Sequence, residues 1–270
     1  MKGFQKLVKY SAIAFGLYLA ISIIGALIGV IVGVTSGVEV LKELSGNENV
    51  ELVDETRNFD ELSGLNLNIS SSNLTIKAEG DSYRMEAHII PKTTKIECKN
   101  DVLEIKNVEK LKSESSITIY VPENAKLSRI NLDMGAGNVE ISNIEAANID
   151  FSFGAGNVNI KNLKSENPTI DCGAGQIKFE NTELTNAKLS AEVGKVIYSG
   201  QLNGESRIEC GVGEVEMNLE GGIDNYSIKV KKGIGNIKIN KESVNNDSTT
   251  GNGQNKIYID GGVGDIDIKI

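Results

Sequence analysis

The feature that most limits what this chain can fold into is a repeat. Gly-x-Gly, followed by alternating apolar and polar residues, occurs in MGAGNVEISN (134–143), FGAGNVNIKN (153–162) and CGAGQIKFEN (172–181). With the first glycine as phase marker, copies begin at Gly135, Gly154, Gly173, Glu192, Gly211, Gly233 and Gly262, at intervals of 19, 19, 19, 19, 22 and 29 residues. The second glycine is present in every copy: Gly137, Gly156, Gly175, Gly194, Gly213, Gly235 and Gly264. A fixed period of this length means one small structural unit per copy, each burying its apolar face against the next.

The alternation gives the unit's interior. Ile149, Phe151, Phe153 and Ala155 share the parity of one strand face, and Val158 and Ile160 have the opposite parity. The face is kept only if the chain bends, and Gly156-Asn157 is where it can, since glycine tolerates a positive φ and asparagine comes next. The second glycines are therefore expected to turn a corner, the apolar residue before each to stay in the core, and the first glycine to face outward. Return turns follow, bordered by Asn143, Asn162 and Asn181 and by Asn148, Asn167 and Asn186, and stacked asparagines can bond from coil to coil. The expected fold is all-β, a β-solenoid of about 19-residue, two-strand coils, with an antiparallel meander as the rival. Residues 135–270 hold the regular repeats and 62–134 less regular coils. Ten or eleven coils at roughly 4.8 Å would span about 50 Å. The polar stretch 243–255 reads as an insertion in one return turn.

Ahead of the repeats, residues 10–38 carry no charge, and their first 25 residues exceed the roughly 20 needed to cross a bilayer. The run is longer than the apolar region of a cleaved signal peptide, and VTSGVEV is a poor cleavage site. Lys2, Lys6 and Lys9 precede it and acidic residues follow. The expected order is a cytoplasmic tail (1–9), a single membrane helix (10–38) preceding the β-solenoid, a linker (39–61) and an extracytoplasmic domain. Removing those three lysines from the 28 basic residues leaves 25 against 37 acidic, a balance near −12. Nucleic acid is an unsuitable partner for such a surface. Membrane lipid is the expected partner of the helix. Gly25, Gly29, Gly33 and Gly37 fall on one helix face and would let a second helix approach closely.

The stretch ITIYVPENAKLSRINLDMGAGNVEISNI (117–144), followed by repeated G-x-G-x-V/I, resembles the bacterial "putative adhesin" β-strand-repeat family of unknown function, which includes LiaG-like membrane-anchored proteins. The resemblance covers roughly residues 60–270. It implies a β-solenoid at the cell envelope, associated with stress-response or membrane-regulatory proteins. It supplies no ligand and no catalytic residues.

Chemistry-bearing residues are few. His88 is the single histidine, which leaves no His-rich metal site. Cys172 and Cys210 share a phase two coils apart, about 9–10 Å and beyond the reach of a disulfide, so both read as small core residues. A calcium roll needs aligned carboxylates. The matching positions carry Asn138, Asn157, Gln176, Lys195, Glu214, Asn236 and Asp265. Outward residues further along, from Glu140 to Asp267, alternate in sign like an ordinary solvated face. No cofactor, metal or catalytic residue is expected. The chain reads as a non-enzymatic adhesin-like binding or scaffold module. The alternative is a lateral regulatory partner of another membrane protein, and a wall-polysaccharide enzyme is disfavoured. At the C-terminus, Ile266, Asp267, Ile268, Lys269 and Ile270 have no later coil to cover them. They are expected either to form a docking edge for a partner or second copy, or to be capped by the 243–255 insertion.

Overall fold

The computed structural model of the chain describes residues 50–107 and 115–270. Its strands fall into three groups. The first holds β1 (Leu52–Phe59), β2 (Gly64–Ala78), β3 (Tyr83–Pro91), β4 (Lys95–Lys99), β5 (Val102–Asn107) and β6 (Ser116–Val121). The second holds β7 (Lys126–Ser142), β8 (Glu145–Lys161), β9 (Lys164–Thr185), β10 (Lys188–Asn203) and β11 (Glu205–Leu219). The third holds β12 (Tyr226–Ile234), β13 (Ile237–Ile239), β14 (Glu242–Ser243), β15 (Ser248–Thr250), β16 (Asn255–Val263) and β17 (Ile266–Lys269).

Strands β7 to β11 pair in parallel, each with the next, and Gly137, Gly156, Gly175, Gly194 and Gly213 stand in one column. An offset of 19 residues thus returns the chain to the same phase. The fold is a β-solenoid, and parallel pairing excludes the meander here. Each coil is one extended element bent at its glycines, with the apolar residues of both limbs turned inward. Leu67, Leu132, Phe151, Ile170, Leu189 and Ile208 form one buried column. Burying each such side chain is worth about 1.5–3 kcal/mol. Across the corner, Ile141, Ile160, Phe179, Tyr198 and Met217 form a second column. The turn asparagines bond as a ladder, Asn181 Nδ2 donating to Asn162 Oδ1 and Asn162 Nδ2 to Asn143 Oδ1, both at 2.7 Å.

Chain order and stack order differ at both ends. β2 lies between β7 and the coil made of β5 and β6. β16 and β17 lie between β11 and the coil made of β12 and β13. In space the order is β5–β6, β2, β7, β8, β9, β10, β11, β16–β17, β12–β13, nine coils among the described residues rather than ten or eleven. At about 4.8 Å per coil this is about 38 Å. The irregular intervals of 22 and 29 residues are the trace of the C-terminal detour: the chain skips a slot, builds β12 and β13, and returns to fill the gap.

This order corrects the expected open edge. Val215–Asn218 pair with Ile266–Lys269 on one side, and Ile237–Ile239 pair with Ile266–Ile268 on the other. Ile266 and Ile268 are buried between them. Ile270 is half-buried, and its N–H donates to Asn240 Oδ1 at 3.0 Å. Residues 266–270 are therefore no docking edge, because both backbone edges of β17 are already paired. The 243–255 stretch closes the outer coil instead: β15 runs antiparallel on β12, and β14 on β13. Asn246 extends that closure, accepting from the Lys232 N–H at 2.7 Å and donating to the Lys232 carbonyl at 2.8 Å. At the other end β3 pairs antiparallel with β6, β1 with β3, and β4 with β5. There Arg57 Nη1 donates to the Ile96 carbonyl at 2.5 Å. Antiparallel strands thus cover the unpaired groups that a bare end coil would present.

The corner is also arranged differently from the parity argument. Phe153 and Val158 are buried, but Gly154, Ala155 and Asn157 are exposed and Gly156 half-buried. All the residues between paired glycines turn outward, because the bend begins at the first glycine and leaves no interior volume inside the corner. The second glycines have φ between 125° and 148°. A Cβ on Gly156 would also overlap the carbonyl oxygen of Gly137 in the preceding coil. The first glycines lack the positive φ, yet a Cβ on Gly154 would also press on the Gly135 carbonyl, so this position is not simply an open outward site. Glu192 is its one occupied exception. Among the described residues no helix is long and apolar enough to cross a membrane. The 10–38 segment, with Gly25, Gly29, Gly33 and Gly37, lies outside them.

Candidate functional site

Stacking turns each outward position into a row. The corner row reads Ala136, Ala155, Ala174, Val193, Val212, Val263 and Ile234 in spatial order. Its last three members are 37%, 46% and 58% exposed. The row is an apolar ridge that grows in side-chain size towards one end, flanked by glycine on both sides except at Val193, which the exposed Glu192 precedes.

On one face beside the ridge, the inserted coil brings Tyr258 between Arg207 of β11 and Lys229 of β12. The Arg207 guanidinium lies 5.9 Å from the Tyr258 ring centroid, and Lys229 Nζ is 3.1 Å from Asp247. A cleft of about 340 Å³ opens here, with Glu209, Lys231 and Asp260 also on its wall. On the other face a cleft of about 350 Å³ lies over Ile197, Glu216, Met217, Asp267 and Lys269. Both are shallow and of mixed charge, suited to contact with an extended polar surface.

The outermost coil contains a buried cation. At the inner corner position, where other coils carry Phe153, Cys172, Ala191 or Cys210, stands Lys232, with its side chain 3% exposed. Gly261 in the neighbouring coil faces it in register, with no side chain to compete for the space. Its Nζ donates to the Asn236 carbonyl at 3.1 Å and lies 3.7 Å from Asp265 Oδ1. Burial pulls the Lys232 ammonium below its ordinary pKa, and Asp265 opposes that. Asp265 itself sits below the usual carboxylate range, chiefly because it accepts from the Asn236 N–H at 2.8 Å and also because Lys232 is near. The pair secures the last corner, where no further coil satisfies its backbone.

The remaining candidates are placed simply. His88 is exposed, with Nδ1 3.6 Å from Asp54. Cys172 and Cys210 are free and buried, with Ala191 between them, and burial pushes both thiols up. Among the described residues no group of three His, Cys, Asp or Glu could hold a metal ion. The ridge and the Tyr258 cluster escaped sequence reasoning. The five-step gap from Phe153 to Val158 was a signal for the first; the 22- and 29-residue intervals were a signal for the second.

A family model described as Toastrack DUF4097 matches residues 60–269. Among solved structures, the chain is similar to one titled a putative cell adhesion protein from Clostridium sporogenes, at 19% identity, with 81% of this chain and 99% of that one covered and a TM-score of 0.32. It is also similar to a putative adhesin from Bacteroides fragilis, at 14% identity, 81% and 97% coverage and a TM-score of 0.44. A third is a putative lipid binding protein from Parabacteroides distasonis, at 13% identity, 83% and 98% coverage and a TM-score of 0.36. No curated protein matched the chain.

Proposed function

The chain belongs to the Toastrack DUF4097 family, and from that premise we propose that it is a membrane-anchored, extracytoplasmic, non-enzymatic binding or scaffold module of adhesin-like type, linked to envelope stress. The observation that carries the reading is the stack itself. Nine in-register coils repeat each outward side chain about every 4.8 Å, giving long exposed rows beside shallow clefts. Such rows suit an extended partner, as in other solenoids. The uncharged 10–38 segment, preceded by Lys2, Lys6 and Lys9, supports the anchor and its orientation. The four-residue spacing of Gly25, Gly29, Gly33 and Gly37 supports a second reading, lateral pairing with another membrane protein.

Because Cys98 is exposed, the test starts from a Cys98→Ser background. Asn252→Cys should react with a membrane-impermeant reagent on intact protoplasts, and Gln5→Cys should not. Cells carrying the chain should bind envelope material more strongly than cells carrying it without residues 51–270. Labelling at Gln5 alone, or binding that ignores loss of the module, would refute the proposal. Binding lost instead on replacing the four anchor glycines with leucine would favour the lateral reading.

A further inference from the structure

We propose that the Tyr258 cleft binds a neutral, hydroxyl-rich glycan. The inference deepens the binding-module reading above and rests on it, adding the chemical class of the ligand. It starts from two tyrosine clusters built in the same way. At the β5–β6 end of the stack, Tyr120 stands in register between Lys77 and Arg84, whose charged groups lie 4.8 Å and 4.3 Å from its ring centroid. That cluster is closed. The Tyr120 hydroxyl donates to Glu86 Oε2 at 3.0 Å, Arg84 pairs with Glu86 at 3.3 Å, and Lys77 pairs with Glu79.

Tyr258 stands in register between Arg207 and Lys229 in the same manner, but its cluster is open. Lys229 is held by Asp247. Among the described residues, the Tyr258 hydroxyl and the side chains of Glu209, Asp260 and Lys231 have no hydrogen-bond or ion-pair partner. Yet Asp260 is the register neighbour of both Glu209 and Lys231. Those three side chains are exposed, so water serves them, and a ligand that displaces the water must replace its bonds.

The make-up of the wall selects the ligand. Three cations, Arg207, Lys229 and Lys231, meet three carboxylates, Glu209, Asp247 and Asp260. A polyanion would be set against the carboxylates and a polycation against the amines, and like charges across a contact disfavour it. A hydroxyl both donates and accepts, so a polyol serves both sets at once. Its hydroxyls would donate to Glu209 and Asp260 and accept from Arg207 and Lys231, as hydrogen bonds strengthened by the charged partner. The Tyr258 ring adds an apolar surface for the C–H face of a sugar ring. The volume, about 340 Å³, falls within the roughly 300–1,000 Å³ of small-ligand sites. It holds a short segment, and its open sides let a longer chain run on over the neighbouring coils.

The test uses the full chain in lipid vesicles and fluorescently labelled four-unit sugars that differ in charge: cellotetraose and chitotetraose (neutral), tetragalacturonate (anionic) and a chitosan tetramer (cationic). A neutral tetramer should co-sediment with the vesicles more strongly than either charged one. Its binding should hold as salt is raised, because it has no charge to screen. Tyr258→Ala and Glu209→Gln should each weaken it by about tenfold, as loss of a central anchor does. Tyr120→Ala, in the closed cluster, should leave it unchanged. Unchanged thermal unfolding shows the coils intact, and the exposed Glu209 carries the test if Tyr258→Ala unfolds. The chain has no tryptophan, so with unlabelled sugar Tyr258→Trp gives a single emitter, whose emission should shift on binding. No binding of either neutral tetramer overturns the proposal. So does tighter binding of a charged one, or full binding by Glu209→Gln and Tyr258→Ala. If the neutral sugars fail while residues 51–270 still hold cells to envelope material, the glycan falls and the binding-module reading stands.

Discussion

Whether β16–β17 is the last coil or the last but one can be decided with two alanines. Ile268 and Ile239 are register neighbours in one buried column. Ile268 is fully buried between Met217 and Ile239, while Ile239 is 5% exposed with β14 on its outer side. Isoleucine to alanine removes about three methylene equivalents, about 2.4 kcal/mol at about 0.8 kcal/mol each. A cavity term is added where the neighbours cannot collapse inward. Ile268→Ala, enclosed by coils on both sides, should lie high in the range of about 2–5 kcal/mol, near 4. Ile239→Ala, at the outer coil, should stay near 2. The difference of about 2 kcal/mol corresponds to about 4–8 °C for a domain of this size. Because solenoid coils can fray separately, native-state hydrogen exchange is the sharper assay. Ile268→Ala should reduce protection in both 255–269 and 226–239, and Ile239→Ala mainly in 226–239. Equal costs, or a larger cost at Ile239, would refute the inserted coil and restore sequential order.

Gly156→Ala should destabilise more than Gly154→Ala. Both press on a carbonyl of the coil below, and only the first adds a positive-φ strain of about 1–3 kcal/mol; equal melting shifts would count against a corner role specific to the second glycine. Lys232→Met tests the buried cation against its facing groups, Asp265 and the Asn236 carbonyl. The folded-state pKa of Lys232 is lowered, so the unfolded chain holds that proton more tightly. The wild type should therefore gain stability relative to the methionine variant as pH rises through the window between the folded value and the ordinary lysine value, and lose that gain below it. Urea unfolding of both proteins at roughly pH 7 and pH 10 reads the change; a flat difference, or one that moves against the wild type as pH rises, would show that burial does not govern this lysine.

The chain by itself determined the unit. A 19-residue period, a glycine that never varies and alternating apolar residues require coils stacked in phase, because an identical residue at an identical phase has a use only when coils lie in register. The columns Leu132–Phe151–Ile170 and Asn143–Asn162–Asn181 could be written down without coordinates. Two things could not. Parity counting placed Ala155 inside, since it assumes a straight strand, and a bend at the first glycine reverses the face. The order of the coils was hidden for a deeper reason. Every coil presents the same pattern of apolar and polar positions along its edges, so any coil in phase can stack on any other, and the local pattern fixes the register while leaving the neighbour open. Only the tertiary structure decided that residues 255–269 fill the slot between 205–219 and 226–239. That choice covers both edges of the inserted coil and leaves the short antiparallel strands β14 and β15 to close the end. It also brings Tyr258 beside Arg207 and Lys229, and places Ile234 at the outer end of the ridge.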